Sequence, residues 1–367
     1  MKYIIKYLII HIILILSCSD KQSDVTPNTK KLSSELKLLR TFVIQEETYK
    51  IADIAGLHNP HHVDNEENLY LLDLKNRYYV KYNSKGEFIG FIGGKGKGPG
   101  EYIEPSKLTT DNKRYIYLFD ISKNATIVYY PDNTFFEEYQ YGNYIPAPGN
   151  LKITDRYKII SLFSFKTGNY YEKVSLFHFL DDNFSVLKSI NVSYPKEYKR
   201  FDLKNFIWPL WDSDSSYLYV NFTALPFIYR YDFEGNLEEI LNINANHFKI
   251  VQNKIPQTPD IIKTAKYLAK SSNSFSLYLF KNKYIFYSYF NMQLPSTNNL
   301  NIWDLDKYRK YYYNIISVGN QKAQTPESKF LPGKPLFCNT NGALYLLLND
   351  EPDKREIGVY NIVVEEN

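Results

Sequence analysis

"GFIGGKGKGPGEYIEP", residues 90–105, holds six glycines and two prolines between two strand-like stretches. It admits three readings: a phosphate cradle, a hinge or a structural corner. A P-loop needs glycine, four residues, then Gly-Lys-Ser/Thr, so that backbone N–H groups wrap the phosphates and a hydroxyl reaches the metal. Here Gly94-Lys95 is followed by Gly96, and Gly96-Lys97 by Gly98, so no hydroxyl stands at the metal position. The dinucleotide fingerprint fails as well. Counted from Gly94 and Gly96 its third glycine is Pro99, and counted from Gly96 and Gly98 it is Glu101. No amphipathic helix opens in the "EYIEPSKL" that follows. Gly94, Gly96, Gly98 and Gly100 therefore read as the turn residues of a corner.

The flanks say what is being turned. Tyr, Phe, Ile and Val recur between Asn, Asp, Gly and Pro, 17% of the 367 residues are aromatic, and 35 are tyrosine, which together predict an all-β chain. "IPQTPDIIKTAKYLAKSSNS", residues 255–274, is the best helical candidate and reads as an insertion. The strands repeat. "ENLYLLDLKNRYYVKYNSKGEFIGFIG" and "KRYIYLFDISKNATIVYYPDNTFFEEYQY" each run an apolar strand into Asp (Asp73, Asp120), then a polar turn, a second strand and an Asn/Asp turn. Pro60 and Pro105 stand 45 residues apart, and Asp73 and Asp120 stand 47 apart. Four weaker copies follow, and "YDFEGNLEEIL" repeats the "YNSKGEFIGFI" hairpin with Gly235 in the place of Gly86. Both glycines suit turns that need positive φ.

Six antiparallel units of this kind predict a six-bladed β-propeller of four-stranded blades over residues 38–367. The last copy is one strand short. "LLRTFVIQEE", residues 38–47, is expected to complete it and latch the ring, covering an edge that would otherwise stay unpaired. The opening stretch is then the crossing from the first blade to the second, expected near the hub.

"GKGKGPGEY", followed by Pro105 and a strand ending in Asp120, resembles the NHL-type repeat. With the N-terminal signal described next, the chain resembles the six-bladed propeller lipoproteins common in Bacteroidetes. The specific likeness spans residues 58–141, and the later blades lack its glycines. The resemblance implies a fold and a cellular address more than an activity.

Residues 1–17, "MKYIIKYLIIHIILILS", have Lys2 and Lys6, then an apolar run too short to span a membrane, and read as an export signal. Ile15-Leu16-Ser17-Cys18 resembles a bacterial lipobox, which implies acylation of Cys18, with palmitate among the chains, and anchoring to the membrane. Residues 18–37 are polar and aperiodic, as a flexible tether should be. The expected address is the bacterial envelope, at the periplasmic or outer face of the outer membrane. Losing Lys2 and Lys6 takes the formal charge from +4 to +2, which carries no nucleic-acid signature. Besides Cys18 only Cys338 remains, so the mature domain has no internal disulfide, and Cys338 reads as a small buried hydrophobe.

Chemistry is sparse. "GLHNPHHVDNEE" sets His58, His61 and His62 beside Asp64 at the approach to the first blade. Imidazole and carboxylate there can hold zinc, but adjacent strand residues point to opposite faces, so at most one of His61 and His62 faces a channel. Asp73 and Asp120 suit calcium in the channel by residue type, yet their recurrence at the same turn makes them turn caps. "FIWPLWDSDSS" places Trp208 and Trp211 in a loop, where the rings can stack on a sugar or peptide or plug the hub. The reading favoured by these residues is a non-catalytic envelope module binding a glycan, peptide or protein partner, with no cofactor. Its alternative is a metal-dependent hydrolase or lyase working in the central channel.

Overall fold

The computed structural model describes residues 32–54, 60–142, 145–154, 157–163, 174–203, 209–251, 269–294, 308–318 and 326–366. Cys18, His58, Trp208 and residues 255–268 of the helical candidate lie outside them.

Six four-stranded antiparallel sheets form a six-bladed propeller. Blade 1 is β2 (His62–Val63), β3 (Leu69–Asp73), β4 (Tyr78–Tyr82) and β5 (Phe88–Ile92). A two-stranded parallel bridge, β6 (Gly94–Lys95) to β7 (Glu101–Tyr102), leads to blade 2. Blade 2 is β8 (Pro105–Thr110), β9 (Ile116–Asp120), β10 (Ala125–Tyr129) and β11 (Phe135–Gln140). Blade 3 is β12 (Ile145–Ile153), β13 (Lys158–Phe163), β14 (Val174–Leu180) and β15 (Val186–Val192). After a short helix, α1 (Lys196–Phe201), blade 4 is β16 (Pro209–Ser213), β17 (Tyr217–Phe222), β18 (Phe227–Asp232) and β19 (Leu237–Asn242). Blade 5 is β20 (Asn273–Phe280), β21 (Tyr284–Met292), β22 (Arg309–Ser317) and β23 (Lys329–Phe330). Blade 6 takes β24 (Lys334–Cys338), β25 (Ala343–Asn349) and β26 (Glu356–Glu366) from one end of the chain and β1 (Leu32–Val43) from the other. The innermost strands of the six blades lie side by side around the axis.

Ring closure by an N-terminal strand holds, but it begins earlier than expected. β1 pairs with β26 from Leu32↔Glu366 to Val43↔Glu356, so residues 32–37 are strand rather than tether. The alternation in "LSSELKL" explains this: Leu32 is buried in the core between blades 5 and 6, and Leu36 packs against it.

The core is divided, not central. Six apolar clusters each join two neighbouring blades. Tyr70, Leu72, Tyr79 and Ile92 of blade 1, for example, meet Leu108, Ile116, Leu118, Ile127 and Tyr129 of blade 2. A middle strand is covered on both faces, so "LYLLD" and "IYLFD" are buried at every position and read as continuous apolar runs. No blade can bury its own faces; stacking completes each core.

Antiparallel order gives the disc two unlike faces. One carries mostly short hairpins; on the other, the strand ends at Val43, Val192, Asn242 and Met292 lead into the longest connections of the sequence. On the hairpin face eight turns repeat one device, an Asx side chain accepting N–H groups ahead of it. Between first and second strands the acceptors are Asp64, Asp111, Asp214 and Asn339. Between third and fourth strands they are Asn83, Asp132, Asp181 and Asp232.

The glycine corner works as a corner, but over the outer half of blade 2 and not at the hub. β5 ends at the rim, so the chain must cross the neighbouring blade before it can return to the axis. A Cβ on Gly93 (φ 60°) would fall 2.4 Å from the Tyr129 hydroxyl, and one on Gly100 (φ 72°) 2.8 Å from Phe135 Cβ. The Glu101 carboxylate accepts the Gly98 N–H at 2.8 Å, and a Cβ on Gly96 would fall 1.9 Å from it. The loop thus closes on its own carboxylate.

Candidate functional site

The hub is built from polar side chains on the innermost strands. Asp212 on β16 accepts Lys152 Nζ from β12 through Oδ1 and the Leu279 N–H of β20 through Oδ2 at 2.7 Å. One carboxylate therefore ties blades 3, 4 and 5. Lys107 on β8 is buried, and burial pushes its ammonium down to about 8 despite the opposing pull of Asp212. Lys334 on β24 donates to the Ile54 carbonyl at 3.4 Å. Lys152 and Lys107 thus face the Asp212 carboxylate, while Lys334 is held at the Ile54 carbonyl.

His61 and His62 point apart. The Leu72 N–H donates to His61 Nδ1 at 3.3 Å, so the ring proton sits on Nε2 and donates to the Ile54 carbonyl at 3.0 Å. His62 Nε2 meets the Thr110 hydroxyl of β8 at 2.9 Å, and its ring lies edge-on to Phe337 of β24, 4.9 Å between centroids. This one imidazole touches blades 1, 2 and 6. Burial, with nearby lysine charge adding to it, holds both rings neutral, down to about 3. Asp64 is taken up by its turn, accepting from the Glu66 and Asn68 N–H groups, the Asn68 amide and the Tyr70 hydroxyl, each at 2.9 Å. Among the described residues no three His, Cys, Asp or Glu side chains gather where a metal ion can be held.

Asp73 and Asp120 do equivalent work. Each accepts the N–H three residues ahead, Asn76 and Lys123. Each also accepts from the chain arriving at its blade: Ala52 to Asp73, Ile103 and Glu104 to Asp120. Trp211 is not in a loop and is not exposed. It lies on β16, fully buried, donating to Ser161 Oγ at 3.2 Å with Phe177 against its edge. "PLWDS" must cross the hub between two blades, and an indole there fills the interblade core. Cys338 is buried, which pushes its thiol pKa up.

A wide opening lies elsewhere. A cleft of about 1300 Å³ opens on the face of the longer connections, where blades 5, 6 and 1 meet. Its cations are Lys75, Arg309, Lys310 and Lys334, against Asp53 and Asp350. Asp350 is already ion-paired with Arg355 at 2.8 Å. Phe330, 55% exposed, forms part of its wall, with Lys310 Nζ 5.1 Å from the ring centroid. No sequence pattern marks these residues, because they come from three blades and gather only when the ring closes.

Fold and sites define a six-bladed propeller with a cationic hub and a basic cleft. Residues 18–330 match the family described as 6-bladed beta-propeller, DUF5128, and the chain belongs to that family. It is similar in fold to a member of the DUF4221 family from Bacteroides vulgatus, 14% identical, covering 91% of this chain and 99% of that one, with a TM-score of 0.66. It is also similar to a Bacteroides fragilis protein described as exported, 15% identical, covering 91% and 95%, with a TM-score of 0.51. No curated protein matches the sequence.

Proposed function

We propose that this propeller is a lipid-anchored envelope protein whose cleft binds a glycan, peptide or protein partner. The cleft carries the reading: in repeat architectures the insertions gather on one face, which is often the binding face, and the cleft opens on that face here. The anchor fits the same geometry. β1 enters at Leu32 on the hairpin face, beside Glu366, whose carboxylate meets Lys283 of the β20–β21 turn at 2.7 Å. Thirteen residues separate Cys18 from Leu32, and a flexible coil of that length spans about 20 Å. Acylation at Cys18 turns the hairpin face to the bilayer and the cleft away from it. Among the described residues no helix is long and apolar enough to cross a membrane.

Two experiments test this. Metabolic labelling with a fatty acid should mark the wild-type protein and not Cys18→Ala; equal labelling overturns the anchor. Crosslinking in intact envelopes should recover a partner with the wild type and lose it with Lys75→Glu combined with Phe330→Glu. Identical recovery moves the binding surface off the cleft.

A further inference from the structure

The cleft combines two features that a neutral ligand would not use together. Lys75, Arg309 and Lys310 line it, with the buried Lys334 behind them, against Asp53 and the already paired Asp350. Two of those cations sit over aromatic faces, Lys310 at Phe330 (5.1 Å) and the Arg309 guanidinium at Phe290 (4.6 Å). Such pairing holds a charged group beside a flat apolar surface. At Phe330 that surface is solvent-exposed, whereas Phe290 is buried. An occupant must therefore present a flat apolar face with a carboxylate close beside it. A hexuronic acid has that form: one side of the pyranose ring is a plane of C–H groups, and the carboxylate, C6, is attached to the same ring at C5. An aspartate or glutamate side chain has the charge without the plane. The volume, about 1300 Å³, exceeds the roughly 300–1,000 Å³ of ordinary small-molecule sites, so a short chain of residues fits better than a monomer.

We infer that the cleft binds a uronic-acid-containing oligosaccharide, with Phe330 stacking on one sugar ring and Lys310 and Lys75 meeting its carboxylates. This rests on the binding-module reading above and gives it a ligand class. The test titrates the full-length protein in detergent with tetragalacturonate, a neutral galactose tetramer and a hexaglutamate peptide, by calorimetry. The uronate should bind saturably and more weakly as salt rises. Phe330→Ala and Lys310→Ala should each weaken it about tenfold or more, a loss of about 1.4 kcal/mol. Phe330 is exposed, so its truncation leaves the fold intact. The inference falls if the uronate does not bind, if neither substitution changes its affinity, or if the neutral tetramer or the peptide binds as tightly. Phe330-dependent binding of the neutral tetramer or peptide would overturn the uronate assignment alone. Equal partner recovery in the crosslinking experiment would overturn the module.

Discussion

The two faces of the disc are made from the same repeat and have diverged in opposite directions. On the hairpin face the unit hardly varies: eight Asx side chains close eight turns in the same manner. Three of the first-to-second strand turns go further, each aspartate also accepting a tyrosine hydroxyl from the following strand: Tyr70 on Asp64, Tyr117 on Asp111 and Tyr219 on Asp214. On the other face the Asp73 and Asp120 turns still match, but the connections differ widely in length, and the cleft lies among them. Repetition marks where the ring is built, and variation marks where the proposed binding cleft opens.

The largest effect should come from a point where the varied face is nonetheless structural. Glu46, just after β1, accepts from Arg355, from the Ile51 N–H and from the Asp353 N–H, and both charged side chains are almost fully buried. Glu46→Ala leaves Arg355 with Asp350 alone and should cost about 3–5 kcal/mol in denaturant unfolding. A cost under about 1 kcal/mol would mean the ring closes without this pair. Next comes the hairpin face. Asp64→Ala removes four accepted hydrogen bonds and should cost about 2–3 kcal/mol. Asp64→Asn should recover the backbone part of that, since Asn339 accepts the equivalent pair of N–H groups in blade 6, and thermal unfolding reads the difference.

The hub between the faces predicts a pH dependence. His61 and His62 are neutral when folded, with values lowered to about 3 by burial, and take protons in the unfolded chain below about 6.5. Their contribution is complete above about pH 6.5 and is lost as pH falls toward 3, because there the unfolded state binds more protons. Each contributes at most about 1.4 kcal/mol per pH unit. His62→Gln should flatten the stability profile between pH 6 and 4 relative to the wild type; an unchanged slope would place that proton uptake elsewhere. The smallest effect closes the comparison. Lys75→Glu, at the cleft rim, should change stability by less than about 0.5 kcal/mol while changing binding.

The legible parts of the sequence were those where local chemistry repeats. The glycine corner, the turn glycines Gly86 and Gly235 (φ 83° and 85°) and the missing strand of the last blade follow from local chemistry. The innermost strands did not show. "PSKLTT", "PLWDS" and "KPLFC" are short and mix a charge or indole with apolar residues, because hub positions serve two neighbouring blades at once. That is why Trp211 reads as a loop residue and Lys107, Asp212 and Lys334 pass unnoticed. A proline a few residues before a lone charge, as in Pro105–Lys107 and Pro209–Asp212, is the signal that was there to find. The Asp-to-Tyr spacing was another: it is six residues in Asp64–Tyr70 and Asp111–Tyr117 and five in Asp214–Tyr219.

Sealing blade 6 with β1 has a consequence for how the molecule comes into being. Residues 32–43 are synthesised early, yet their partner, residues 356–366, emerges more than 300 residues later. The entropy of closing so long a loop grows only with the logarithm of its length, but the pairing cannot begin before that partner exists. Until then the nascent ring has a bare strand edge at each end, the kind of edge that invites pairing with another chain. Birth order makes the first strand wait for the last, and the waiting chain is the molecule at its most vulnerable to aggregation.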